Sequence, residues 1–160
     1  MTLNLAEPKR ELLFHPRYFI GSSRSHTPET APATINDQWS ALFQSGIVSM
    51  TSKFPLYGFV PHCDTATGSF DYFCGFETAK DTQIPASAAS LVLEPGAYLA
   101  FTLVGTIADM HANWQAVYGY DLAAQGYERD VTRPEAEYYP STFCPDGPLN
   151  GCEIWIPIKG

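Results

Sequence analysis

Hydrophobic positions recur along this chain with two periods, and the switches between them mark out its elements. From Pro16 to Ser25, Tyr18 and Ile20 alternate with Phe19 and Gly21, the period of two that a half-buried strand requires. From about Pro32 the apolar residues Ile35, Trp39, Leu42 and Phe43 fall at i, i+4, i+7 and i+8. That stripe predicts an amphipathic helix, with Gly46 as its stop. Leu56 to Val60, bounded by Pro55 and Pro61, predicts a short strand, and Phe70 to Glu77 a second with Phe70, Tyr72, Cys74 and Phe76 on one face. The polar turn Asp64 to Ser69 between them suggests a hairpin.

Further along, Ser90 to Leu93 and Ala97 to Val104 read as strands on either side of a Glu94-Pro95-Gly96 turn. Thr106 to Asp109 has the form of a capping box. Beyond it Ile107, Met110, Trp114, Val117, Tyr118 and Leu122 keep helical spacing, with Gly126 as the expected end. The last strand, Cys152 to Ile158, turns Cys152, Ile154, Ile156 and Ile158 one way and Glu153 and Trp155 the other, with Lys159 following on that second face; Pro157 points to an edge position. Residues 1–15 show no clear period and are expected to form a lead-in, with Leu12, Leu13 and Phe14 packed against a single domain of residues 16–160.

The order is thus strand, helix, strand, strand, and then nearly the same again. The halves also rhyme: Gln38-Trp39-Ser40-Ala41-Leu42-Phe43 stands against Asn113-Trp114-Gln115-Ala116-Val117-Tyr118. Two such units predict an α+β domain with antiparallel strands, a pseudo-twofold axis and a cleft where the halves meet.

Composition narrows the function. The 160 residues carry a net charge of −8 with only nine Lys and Arg, which argues against binding nucleic acid. Aromatic residues make up 14% of the chain and charged residues 16%, so the core can be rich in rings. No apolar run approaches the roughly 20 residues that cross a bilayer, and the N-terminus lacks a signal peptide's apolar centre, so a cytoplasmic protein is expected. The four cysteines form no CxxC pair, which leaves thiols as the expectation, although Cys144 and Cys152 flank one loop and could be bridged. No phosphate-cradling or HExxH motif is present, and neither a metal nor a cofactor is expected.

The stretch Thr132 to Pro140 sets two carboxylates among rings. As a strand it places Glu135, Glu137 and Tyr139 on one face and Ala136 and Tyr138 on the other. Either both glutamates point to water, or one is turned inward at a cost that suits a ligand bringing its own positive charge.

PRYFIGSSRS, the first tryptophan helix, YGF, GSFDYFCGFE, LEPGAYLAFTLVG, NWQAVYGY, AEYY and EIWIPIK follow one another in an order that resembles the GyrI-like small-molecule-binding domains, the effector-binding domains of AraC- and MerR-type multidrug-responsive regulators. The resemblance runs from about Pro16 to Lys159. It implies two repeated units with helices flanking a central aromatic cavity, and a glutamate that engages lipophilic cations. The family's Glu-x-Tyr falls on Glu137 and Tyr139, while Glu135 is expected to be exposed. Ala136 stands where a bulky aromatic is usual. No helix-turn-helix precedes the domain, so a stand-alone member is expected.

The leading expectation is a module binding cationic aromatic small molecules through Glu137, Tyr139, Tyr72, Phe101, Trp114 and Trp155. Trp39 and Trp114 both sit on helix stripes, where core packing is the competing reading. Two alternatives come with the resemblance: a hydrolase of reactive DNA-alkylating compounds using Glu137 and Tyr139, and a protein–protein regulator that inhibits gyrase.

Overall fold

The computed structural model describes residues 3–47 and 55–160. Its strands are β1 (Lys9–Leu13), β2 (Arg17–His26), β3 (Leu56–Cys63), β4 (Phe70–Thr78), β5 (Ala89–Leu93), β6 (Gly96–Thr102), β7 (Glu135–Tyr139) and β8 (Glu153–Ile158). The helices are α1 (Ala31–Gln44) and α2 (Met110–Tyr118). All strand pairs are antiparallel, in one sheet of order β1-β6-β8-β7-β3-β4-β2-β5.

This order contains the expected repeat. The first unit, β2-α1-β3-β4, lies in the sheet as β3-β4-β2, and the second, β6-α2-β7-β8, as β6-β8-β7. Each puts its last strand in its own middle, so the units meet through their second strands, β7 against β3. The register there is Leu56 with Tyr139, Tyr57 with Tyr138, Gly58 with Glu137, Phe59 with Ala136 and Val60 with Glu135. Gly58 and Glu137 stand at the centre of this seam, on the pseudo-twofold axis.

The sheet is strongly curled. Only Glu94 and Pro95 separate β5 from β6, yet the two strands stand six places apart in the order. A flat sheet would hold them about 28 Å apart, whereas three residues of chain reach at most about 11 Å. The ends must therefore bend toward one another. Gly21 and Gly75 assist at one place, since they face each other across β2 and β4 and a Cβ on either would lie within 2.1 Å of the opposite strand's backbone.

Curling gives the sheet two faces of different character. The inner face is packed with Phe19, Tyr57, Phe59, Phe73, Leu93 and Tyr98, drawn from both ends of the order. The outer face carries the helices: α1 covers Tyr72 and Cys74 through Leu42, and α2 covers Phe101, Ile154 and Ile156 through Val117.

Four details differ from the sequence reading. The lead-in contains a strand, β1, which pairs with β6 while its side chains stay largely in solvent. β3 runs on through Pro61 by way of an irregularity between Phe59 and His62. Helix α2 stops at Tyr118: Gly119 follows, Tyr120 turns its ring against Phe101 at 5.2 Å, and Gly126, at φ 79°, closes a separate 3-10 turn over Ala123–Gln125. Finally, β8 is a central strand. Pro157 is tolerated because β7 pairs only with Glu153 to Trp155, leaving the proline beyond the end of that ladder.

Candidate functional site

Glu137 is turned to the helix face and is 7% exposed. Alternation along β7 sets it there beside Tyr139, with Ala136 and Tyr138 on the inner face. Its Oε1 accepts a hydrogen bond from the Tyr72 hydroxyl at 2.6 Å, and its Oε2 accepts one from the Trp114 indole N–H at 2.9 Å. The Trp39 indole N–H in turn donates to the Tyr72 oxygen at 3.1 Å. One tryptophan from each helix therefore feeds the same carboxylate, α2 directly and α1 through a tyrosine.

Each tryptophan is oriented by the residue before it. Gln38 is fully buried and its amide N–H groups donate to the carbonyls of Ser22 and Tyr72, both at 2.9 Å. Asn113, equally buried, donates to the carbonyls of Val104 at 2.8 Å and Asp109 at 2.9 Å and accepts from the Val104 N–H. Gln38 thereby ties α1 to β2 and β4, while Asn113 ties α2 to the segment that follows β6 and to the turn leading into the helix.

Gly58 makes the meeting of Tyr72 and Glu137 possible. A Cβ there would lie 2.1 Å from the Tyr72 hydroxyl and 2.6 Å from the Glu137 Oε1. The pseudo-twofold relates Gly58 to Glu137, so one repeat supplies the carboxylate and the other the space it occupies.

Burial pushes the Glu137 carboxyl above its ordinary pKa, against the lowering effect of hydrogen bonds from Tyr72, Trp114 and Tyr139. Burial first, and then the nearby carboxylate, raise the Tyr72 and Tyr139 phenols well above theirs. The same causes push the Cys74 thiol up to about 12 and Cys152 to about 11. Neither is an activated nucleophile. All four cysteines are free, with Cys144 exposed and Cys152 buried.

Of the six residues proposed from sequence, Glu137, Tyr72, Tyr139 and Trp114 come together. Trp155 lies on the opposite face of the sheet, stacked on Tyr138 at 5.9 Å and close to Tyr57 and Tyr98 at 6.0 Å. Its register fixes this: Trp155 pairs with Ala136, and Glu137 pairs with Ile154. Phe101 shares the helix face with Glu137 but stands two strands away and packs on Tyr120. It lines a separate cleft of about 410 Å³ between α2 and residues 3–7. Glu135, expected in solvent, is instead ion-paired with Arg129 at 2.6 Å and accepts from the Tyr118 hydroxyl at 2.7 Å. Trp39, which is not among the six and for which core packing is the competing reading, joins the group around Glu137: besides its bond to Tyr72, its ring meets Tyr139 edge-on at 5.9 Å. The Gln-Trp and Asn-Trp rhyme was the signal that could have paired it with Trp114.

A duplicated antiparallel sheet with helices on one face is the architecture of a class of small-molecule-binding modules. The chain belongs to the family of GyrI-like small molecule binding domains, whose model matches residues 10–159. It is 31% identical over 92 residues to the transcriptional regulator BrlR of Pseudomonas aeruginosa, an alignment covering 57% of this chain and 34% of the regulator, so the chain spans about a third of that protein. Two solved structures share the fold across 97% of this chain. One is the integron cassette protein VCH_CASS2 from Vibrio cholerae (TM-score 0.71, 19% identity, 97% of that chain covered). The other is SAV2435 bound to tetraphenylphosphonium (TM-score 0.73, 19% identity, 95% of that chain covered). No helix among the described residues is long and apolar enough to cross a membrane.

Proposed function

We propose that the domain binds lipophilic aromatic cations at Glu137, with Tyr72, Tyr139, Trp114 and Trp39 as the surrounding rings, and serves in the cytoplasm as an effector-sensing or drug-binding module. The observation that carries this reading is the buried carboxylate held by a phenol and an indole on the axis between the repeats. Burial makes an unpaired negative charge costly, and a cationic guest relieves that cost. Ring faces add about 0.5 to 2 kcal/mol each to its attraction. The likeness in fold to a protein bound to tetraphenylphosphonium supports the same reading. Binding is favoured over hydrolysis because each carboxylate oxygen is already engaged by a donor, Tyr72 on one and Trp114 on the other, and neither Cys74 nor Cys152 nearby is an activated nucleophile to act with it.

Shape and charge separate cleanly in one experiment. Tetraphenylphosphonium and tetraphenylborate have nearly the same shape and opposite charge. In a thermal-shift titration the cation should stabilise the domain, by about 2.7 kcal/mol at a hundred times its dissociation constant, and the anion should not. Glu137→Gln should weaken the cation at least tenfold, about 1.4 kcal/mol. Equal shifts from both ions, or an unchanged affinity in the variant, would refute the reading.

A further inference from the structure

Glu137 is one of two carboxylates on this face of β7, and α2 presents a ring donor to each. Trp114 donates to Glu137 and Tyr118 donates to Glu135, at 2.9 and 2.7 Å. The match is geometric: four residues of helix advance about 6 Å and two residues of strand about 6.7 Å. The two rings touch, with centroids 5.5 Å apart, so the pairs form one continuous row.

The outer pair already holds a cation. The Arg129 guanidinium lies over the Tyr118 ring, 5.0 Å from its centroid, and one of its nitrogens stands 2.6 Å from Glu135 Oε1. That nitrogen is itself buried, and its contact with the carboxylate is at the distance of a charge-assisted pair. A carboxylate beside an aromatic face is the pair of groups that recognises an organic cation. At Glu135 that seat is occupied by the chain's own side chain, and it remains partly open, with Arg129 33% and Glu135 18% exposed.

We propose that Glu135 and Tyr118 form a second cation seat, which Arg129 fills and yields to the second charge of an aromatic dication bridging Glu137 and Glu135. The ligand class is a flat bis-cation with its charges about 7 Å apart, the spacing of alternate residues on a strand. This assignment rests on the Glu137 reading for the first charge only. Arg129 then sets specificity, since a monocation at Glu137 leaves it in place and a dication must displace it.

The test is calorimetric titration with methyl viologen, a planar bis-pyridinium, and with tetraphenylphosphonium, on the wild type, Arg129→Gln, Glu135→Gln and Glu137→Gln. Arg129→Gln should tighten the viologen about tenfold and leave tetraphenylphosphonium within twofold. Glu135→Gln should weaken only the viologen, and Glu137→Gln should weaken both. If the viologen responds to neither Arg129→Gln nor Glu135→Gln, the second seat is refuted while the first stands. If Glu137→Gln alters neither ligand, the reading of the first seat fails independently. Circular dichroism of each variant separates these outcomes from misfolding, and Arg129→Lys, which keeps a charge on the seat, should bind viologen as the wild type does.

Discussion

At the scale of single residues the molecule carries an electrostatic cost at its centre. Glu137 has its pKa raised by burial, so the folded state favours the protonated acid more than the unfolded chain does. The sign follows from linkage. This group's contribution to stability is fully present below the ordinary carboxylate pKa and is lost as pH rises through the raised folded value. Glutamine mimics the protonated acid: its carbonyl can accept from Trp114, and its amide can donate to the Tyr72 oxygen once that hydroxyl turns. Glu137→Gln is therefore expected to melt with the wild type near pH 4 and several degrees above it at pH 8. Thermal scans across that range check it, and a variant melting below the wild type at pH 8 would mean that the carboxylate's hydrogen bonds outweigh its desolvation. Cation binding should tighten over the same rise in pH, because the guest requires the ionised form.

At the scale of elements, two amides decide where the helices sit. Replacing Gln38 by leucine removes the donors to the Ser22 and Tyr72 carbonyls and the acceptor 2.7 Å from the His26 Nε2. Buried groups left unpaired cost about 1 to 3 kcal/mol each, so Gln38→Leu is expected to lose about 2 to 4 kcal/mol in urea titrations. Asn113→Leu should lose a similar amount. Each should also change the near-ultraviolet dichroism of its neighbouring tryptophan, whereas a purely local packing defect would leave that signal intact. Most strands and both helix stripes were legible because alternation and the 3.6 period report a buried face directly. β1 was not, since its backbone pairs with β6 while its Lys9, Arg10 and Glu11 side chains face solvent and leave no apolar pattern. The turn of Glu137 toward the helices could be read as one of two parities of β7. Trp155 could not be assigned, because period two says which residues share a face and only the pairing of Trp155 with Ala136 says which face that is.

At the scale of the whole molecule the duplicated units share one sheet, and the proposed ligand site lies on the seam between them. Five register pairs join β3 to β7, and the inner-face cluster draws Phe19 and Tyr57 from the first repeat together with Tyr98 and Ala136 from the second. Opening either repeat alone would expose that shared aromatic core and strip partners from Glu137, so neither half is a separate folding unit. The tryptophans allow this to be measured, because Trp39 belongs to the first repeat while Trp114 and Trp155 belong to the second. In urea, a Trp114→Phe/Trp155→Phe chain reports on the first repeat and a Trp39→Phe/Trp155→Phe chain on the second. Within each variant, the fluorescence and far-ultraviolet dichroism midpoints are expected to coincide, and tetraphenylphosphonium should move both together. A fluorescence transition that precedes the dichroism in one variant and follows it in the other would show the repeats unfolding separately. The guest would then be stabilising half a molecule rather than clasping two halves across their axis.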